Sequence, residues 1–174
     1  SRLEETESKE GQHTIIKKNI GAEAEILDFT VTYEESFPAV QGRADVVLRR
    51  GKQMIICQVS VGSPISYEVE SIHKFLRADC AHIALVSGNR KKLNLIQQTL
   101  GSLGTQANKV GFYSPDELIS KLYDLAAADP DGGEAERGKL RKQQVTIDPG
   151  HLSEAERIMN EKRWLAEIKE RMKR

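Results

Sequence analysis

The sequence predicts an α/β domain on a mixed central sheet, with a helix appended at the C-terminus. Three observations carry this prediction. Residues 26–60 hold three β-branched and aromatic runs, two of them joined by a turn of hairpin length. Residues 67–125 alternate helical periodicity with short apolar runs. From Ala126 the composition shifts to Ala, Asp, Gly and charge, as in a linker. A chain of 174 residues, 39% apolar and 30% charged, suffices for one domain of ordinary size plus an appendage.

The first element is a charge-rich helix over residues 3–18, which Asn19-Ile20-Gly21 is expected to end. Ile26 to Tyr33, Arg43 to Arg49 and Gln53 to Ser60 read as three strands, and Arg50-Gly51 marks the turn between the last two. Both faces of the third strand are apolar, so it should be central and covered on both sides, with Cys57 buried. Val69, Ile72, Phe75 and Leu76 then recur at helical spacing, His82–Ser87 reads as a buried strand, and Leu93, Ile96, Leu100 and Leu103 mark another helix. A short strand over 110–113 follows. Ser114-Pro115-Asp116-Glu117 is a capping box with Pro at the first helical position, the sharpest boundary in the chain. The domain is thus placed at 1–127, a linker at 128–150 and a C-terminal amphipathic helix at 151–174. In that helix Ser153 and Glu156 form a second capping box, and Ile158, Leu165, Ile168 and Met172 make a narrow stripe that should pack on the domain or on a partner protein, with Trp164 as reporter.

Charge and composition exclude several functions. The 26 Lys and Arg balance 26 Asp and Glu, so no global charge argument for nucleic acid or membrane exists. No apolar run approaches the length of a membrane span and no signal peptide is visible, so no membrane partner is expected. The two cysteines, Cys57 and Cys80, form no CxxC pair, which argues against a disulfide framework and points to a reducing, cytoplasmic setting. The chain starts at Ser1 without Met, as a piece of a longer protein does. Neither GxxxxGK nor GxGxxG occurs, and aromatic residues are only 5% of the chain, so neither a nucleotide fingerprint nor a clustered stacking platform is evident.

The chemistry centres on Asp45, an acid inside an otherwise apolar strand, where Asp packs poorly and needs a polar partner. With the turn at Arg50-Gly51, residues whose numbers sum to 101 face each other, which sets Asp45 opposite Ile56 and diagonal to Gln58. Asp45, Gln58, Ser60 and the Val59 carbonyl then converge as hard oxygen donors of the kind Mg²⁺, or Mn²⁺, accepts. The other reading keeps Asp45 paired with Arg43, Arg49 or a helix N-terminus. Between Arg43 and Lys92, nine Lys and Arg face four acids, a local net of +5. Arg49, Arg50 and Lys52 at the hairpin turn, and Arg90, Lys91 and Lys92, are therefore candidate phosphate contacts.

The order helix, three strands, helix, strand, with Gly42-Arg43-Ala44-Asp45 opening the second strand and Cys57-Gln58-Val59-Ser60 closing the third, resembles the PD-(D/E)XK, or restriction-endonuclease-like, nuclease superfamily. Val59–Pro64 followed by Tyr67–Lys74 further resembles nuclease-like domains of bacterial DNA-handling or conjugation-type ATPases. The resemblance implies an αβββαβ core over residues 10–125 and a Mg²⁺-dependent DNA nuclease, with Asp45 as the first acid and Gln58 in the second acid's place. Ser60 stands where the family has its lysine, a departure that implies weakened or lost hydrolysis. Lys74 and Glu10 are positions from which a neighbouring helix would supply the missing groups; solvated helix faces are the plainer account of both. The alternative function is a non-catalytic docking module of a larger DNA-handling or mobile-element ATPase.

Overall fold

The computed structural model describes residues 2–78, 82–133 and 165–172, with side chains described from Ser8. The chain divides into two compact units, residues 1–140 and 141–174. In the second, residues 165–172 are helical and expose Leu165 and Met172. Ser153, Glu156, Ile158 and Trp164, and with them the second capping box, lie outside the described residues, as does Cys80.

The first unit runs α1 (Arg2–Ile26), β1 (Thr30–Phe37), β2 (Gly42–Arg50), β3 (Gln53–Val59), α2 (Ile65–Leu76), β4 (His82–Val86), α3 (Arg90–Leu100), β5 (Val110–Tyr113) and α4 (Pro115–Ala128), with short 3-10 turns at Pro38–Val40 and Gly104–Lys109. This is the predicted α/β order. The sheet is mixed: β1-β2-β3-β4-β5 lie side by side in chain order, antiparallel across β1-β2 and β2-β3, parallel across β3-β4 and β4-β5. One face carries Val47, Ile56, Ile83 and Leu85 against Ile72 and Phe75 of α2 and Leu93 and Ile96 of α3. The other carries Val46, Leu48, Ile55 and Cys57 against Ile20 and Ala24 of α1 and Leu118 and Leu122 of α4. Strand β3 is central and Cys57 fully buried, as its two apolar faces require. The Ser114 capping box forms with both reciprocal hydrogen bonds to Glu117.

Three boundaries differ from expectation. Helix α1 continues through Gly21, because that glycine marks a close approach rather than an end: a Cβ there would collide with the Tyr33 hydroxyl and stand 3.2 Å from Val31 Cγ1. The helix stops instead at Asp28, whose φ of 63° is left-handed. Phe29 N–H donates to Ala24 O and Asp28 N–H to Glu25 O, the Schellman pair, and Phe29 and Ala24 supply its apolar contact. The hairpin turn is Gly51-Lys52, not Arg50-Gly51; Gly51 takes the positive φ of 59° and Arg50 pairs with Gln53. Facing residues therefore sum to 103, and the predicted pairing of Asp45 with Ile56 shifts by two. Finally, the start of the predicted linker belongs to the domain. Arg50, only 4% exposed, donates through its guanidinium to the carbonyls of Leu27, Asp129 and Pro130 and stands 5.9 Å from the Phe29 ring centroid.

Candidate functional site

The β2–β3 ladder ends at Val46–Cys57, one pair short of Asp45 and Gln58. Side chains replace it from there. Asp45 N–H donates to Gln58 Oε1 at 3.0 Å, and Val59 N–H donates to Asp45 Oδ2 at 2.7 Å. Gln58 Nε2 donates to Ser71 Oγ on α2 at 2.8 Å and to Arg43 O at 3.3 Å. All of the buried Gln58 amide is thus committed to tying β2, β3 and α2 together. A carboxylate cannot make the two donations, so Gln at this position has a structural reason of its own.

Asp45 is turned to the other side of the sheet. In a regular strand Ala44 and Val46 share a face, yet Ala44 packs with α2 and α3 while Val46 packs with α1 and α4. The same reversal occurs in β1, where Val31 and Phe37 contact opposite cores. The reversal falls at Glu34, which stands across from Asp45 in the constant β1–β2 register and holds a φ of 53°. Glu34 is kept there by Lys17 of α1 and by a two-bonded contact with Arg43, at 2.8 and 2.6 Å. The reversal delivers the Asp45 carboxylate to α1, where His13 Nε2 lies 3.3 Å from Oδ2. Burial pushes the Asp45 carboxyl above its usual range, against the Val59 N–H and His13, which favour its charge.

This end of the hairpin opens into a cleft of about 530 Å³ lined by Lys9, Glu10 and His13 of α1, by Asp45, Gln58 and Val59, by the 61–63 loop, and by Tyr67 and Glu68 of α2. Lys9 crosses the loop so closely that a Cβ on Gly62 would meet its Cδ at 3.3 Å. Lys9, Glu10 and His13 fall on one helical face at spacings of one and four. That spacing is legible in the sequence, but only once α1 is known to run along the sheet.

The other predicted residues are distributed unevenly. Ser60 is fully buried beneath the cleft: its N–H donates to Val86 O at 2.8 Å, and its hydroxyl lies 3.4 Å from that of Ser63, which bonds the buried Glu68. Glu10 and Val59 line the cleft. Lys74 pairs with Glu70 at 3.1 Å, one turn back on α2, and is not among the lining residues. Arg50 is a correction: it is buried on backbone carbonyls and offers nothing to a phosphate. Arg49 is held by two bonds to Glu35, and Arg90 by a single bond to Glu117. The local excess of cations over residues 43–92 is thus offset by acids outside that segment. Lys52 and Lys91 are exposed, but Lys52 lies at the closed end of the hairpin, roughly 20 Å from Asp45 at about 3.3 Å per residue. Lys92 donates to Ser63 O at 2.6 Å at the cleft loop, and burial lowers its pKa.

The fit to Mg²⁺ is poor in this arrangement. The ion asks for near-octahedral oxygen ligands. Gln58 Oε1 is taken up by Asp45 N–H, Asp45 Oδ2 by Val59 N–H, and Glu68 by Ser63. Among the described residues no group of three His, Cys, Asp or Glu side chains is placed to hold a metal. No helix is long and apolar enough to cross a membrane among the described residues. No family model, no curated protein and no solved structure matches this chain.

Proposed function

We propose that this domain is a PD-(D/E)XK-type nuclease-like module that binds nucleic acid, DNA in the first place, with its hydrolysis weakened or lost. One observation carries the reading. Asp45 is steered by a strained neighbour into an open polar cleft, while Gln58 and Ser60, in the places of the family's second acid and lysine, are built into the fold. Glu34 holds a left-handed conformation beside the half-buried Asp45 carboxylate, the kind of backbone cost that gathers at functional sites. Lys9 and the His13 ring line the same cleft and supply donors for a phosphate.

The test is binding of labelled duplex and single-stranded DNA across a salt series, with cleavage followed in Mg²⁺ or Mn²⁺. Binding that weakens with salt and falls with Lys9→Ala, with cleavage either absent or slow, and abolished by Asp45→Ala where it is slow, is the expected result. Absence of any nucleic-acid binding at low salt overturns it. The second reading, a docking module, draws on the exposed Leu165 and Met172 of the 165–172 helix, which suit a protein partner. On that reading Asp45→Ala changes nothing in partner capture.

A further inference from the structure

We infer that the cleft accepts a single unpaired nucleotide, with the Tyr67 ring as its stacking surface, so that the module prefers single-stranded or frayed nucleic acid to intact duplex. This rests on the nucleic-acid reading of the cleft and goes beyond it in naming the form of the ligand. The argument starts from Tyr67, in the first turn of α2. Its side chain belongs to neither apolar core, is 59% exposed, and yet lines the cleft beside Asp45 and Lys9. A tyrosine ring presents an apolar face whose natural partner in a polar cleft is another flat ring. Every base has such a face, so the recognition is tolerant of sequence.

The size of the cleft agrees with this occupant. Lys9, on the α1 wall, is the cation that can meet the phosphate, while Glu10, Asp45 and Glu68 line the rest of the cleft. The cleft, at about 530 Å³, falls within the roughly 300–1,000 Å³ typical of small-ligand sites. That is room for one nucleotide unit, whereas a paired base in the interior of a duplex keeps both faces stacked and cannot lie on the ring.

The experiment is fluorescence anisotropy on the full chain with labelled oligothymidylate, oligouridylate and a blunt duplex of equal length. Both single strands should bind more tightly than the duplex, and the tighter of the two names DNA or RNA as the source. Tyr67→Ala should weaken single-strand binding about five-fold or more, and Tyr67→Phe should leave it unchanged. Because Tyr67 is exposed and outside the cores, an unchanged thermal midpoint is expected for both variants. Duplex preference, or single-strand binding indifferent to Tyr67→Ala while Lys9→Ala still weakens it, overturns this inference and leaves the nucleic-acid reading standing. Failure of all three oligonucleotides to bind overturns both.

Discussion

The two ends of the β2–β3 hairpin are built on opposite principles. At the turn, Arg50 pairs with Gln53, and the Arg50 guanidinium gathers three carbonyls from the end of α1 and the segment after α4. Backbone and side chain reinforce each other there. At the other end the ladder stops, an amide side chain stands in for a strand neighbour, and a carboxylate is held half-desolvated at an open cleft. The closed end is where the fold gains stability, and the open end is where it carries an electrostatic cost that packing alone does not explain. Stability and function should therefore respond separately to substitution.

Arg50→Ala should break the closed end. It leaves three carbonyls without their charged donor and removes the cation from Phe29, a loss of about 3 kcal/mol in urea or guanidinium unfolding. A cost under about 1 kcal/mol would show that the 129–133 segment does not depend on this residue. At the open end, Gln58→Glu should cost about 1–3 kcal/mol, because the donations to Arg43 O and Ser71 Oγ vanish and a second carboxylate is set against Asp45. The same substitution supplies the acid that the proposed nuclease-like reading calls for at this position, so a fall in stability accompanied by stronger Mg²⁺ binding would make the trade explicit. An unchanged midpoint would mean the amide is not the tie its contacts describe.

The smallest effect has the most informative sign. Burial raises the Asp45 pKa above its unfolded value of 3.8, so ionising the group costs stability. That cost is absent below the unfolded pKa, sets in as pH rises past it, and is complete above the folded pKa. Asp45→Asn keeps an oxygen for Val59 N–H and removes the charge. It should therefore be slightly more stable than the native chain at neutral pH, with the difference narrowing as acid protonates Asp45, while nucleic-acid binding or cleavage changes independently. A difference that widens on acidification would refute the assignment of Asp45 as a burdened group.

Much of this was legible from the residues. The alternation around Cys57 specified a central strand, the Ser114 box specified α4, and an acid in an apolar run pointed to Asp45. The hairpin register was not, because Arg50-Gly51 and Gly51-Lys52 share the one glycine, and moving the loop by one residue shifts every facing pair by two. Gly21 misled for a related reason: a glycine that ends a helix and one that admits a tyrosine look alike until the partner strand is known. Arg50 carried the same charge as an exposed lysine, and only carbonyls 23 to 80 positions away reveal it as interior. The face of Asp45 depended on the backbone angle of Glu34, for which glutamate gives no warning.

The kink at Glu34 also bears on how the molecule keeps to itself in a crowded solution. Strand β1 is an outer strand of the sheet, and its eight residues would otherwise offer a row of backbone groups for another chain to extend. With Glu34 in a left-handed conformation and Glu34 and Glu35 both engaged by cations, that row is broken near its middle and guarded by charge. An incoming strand would meet two short, mismatched halves instead of one long template. The distortion that aims Asp45 into the cleft thus also protects the sheet against uncontrolled edge-to-edge growth.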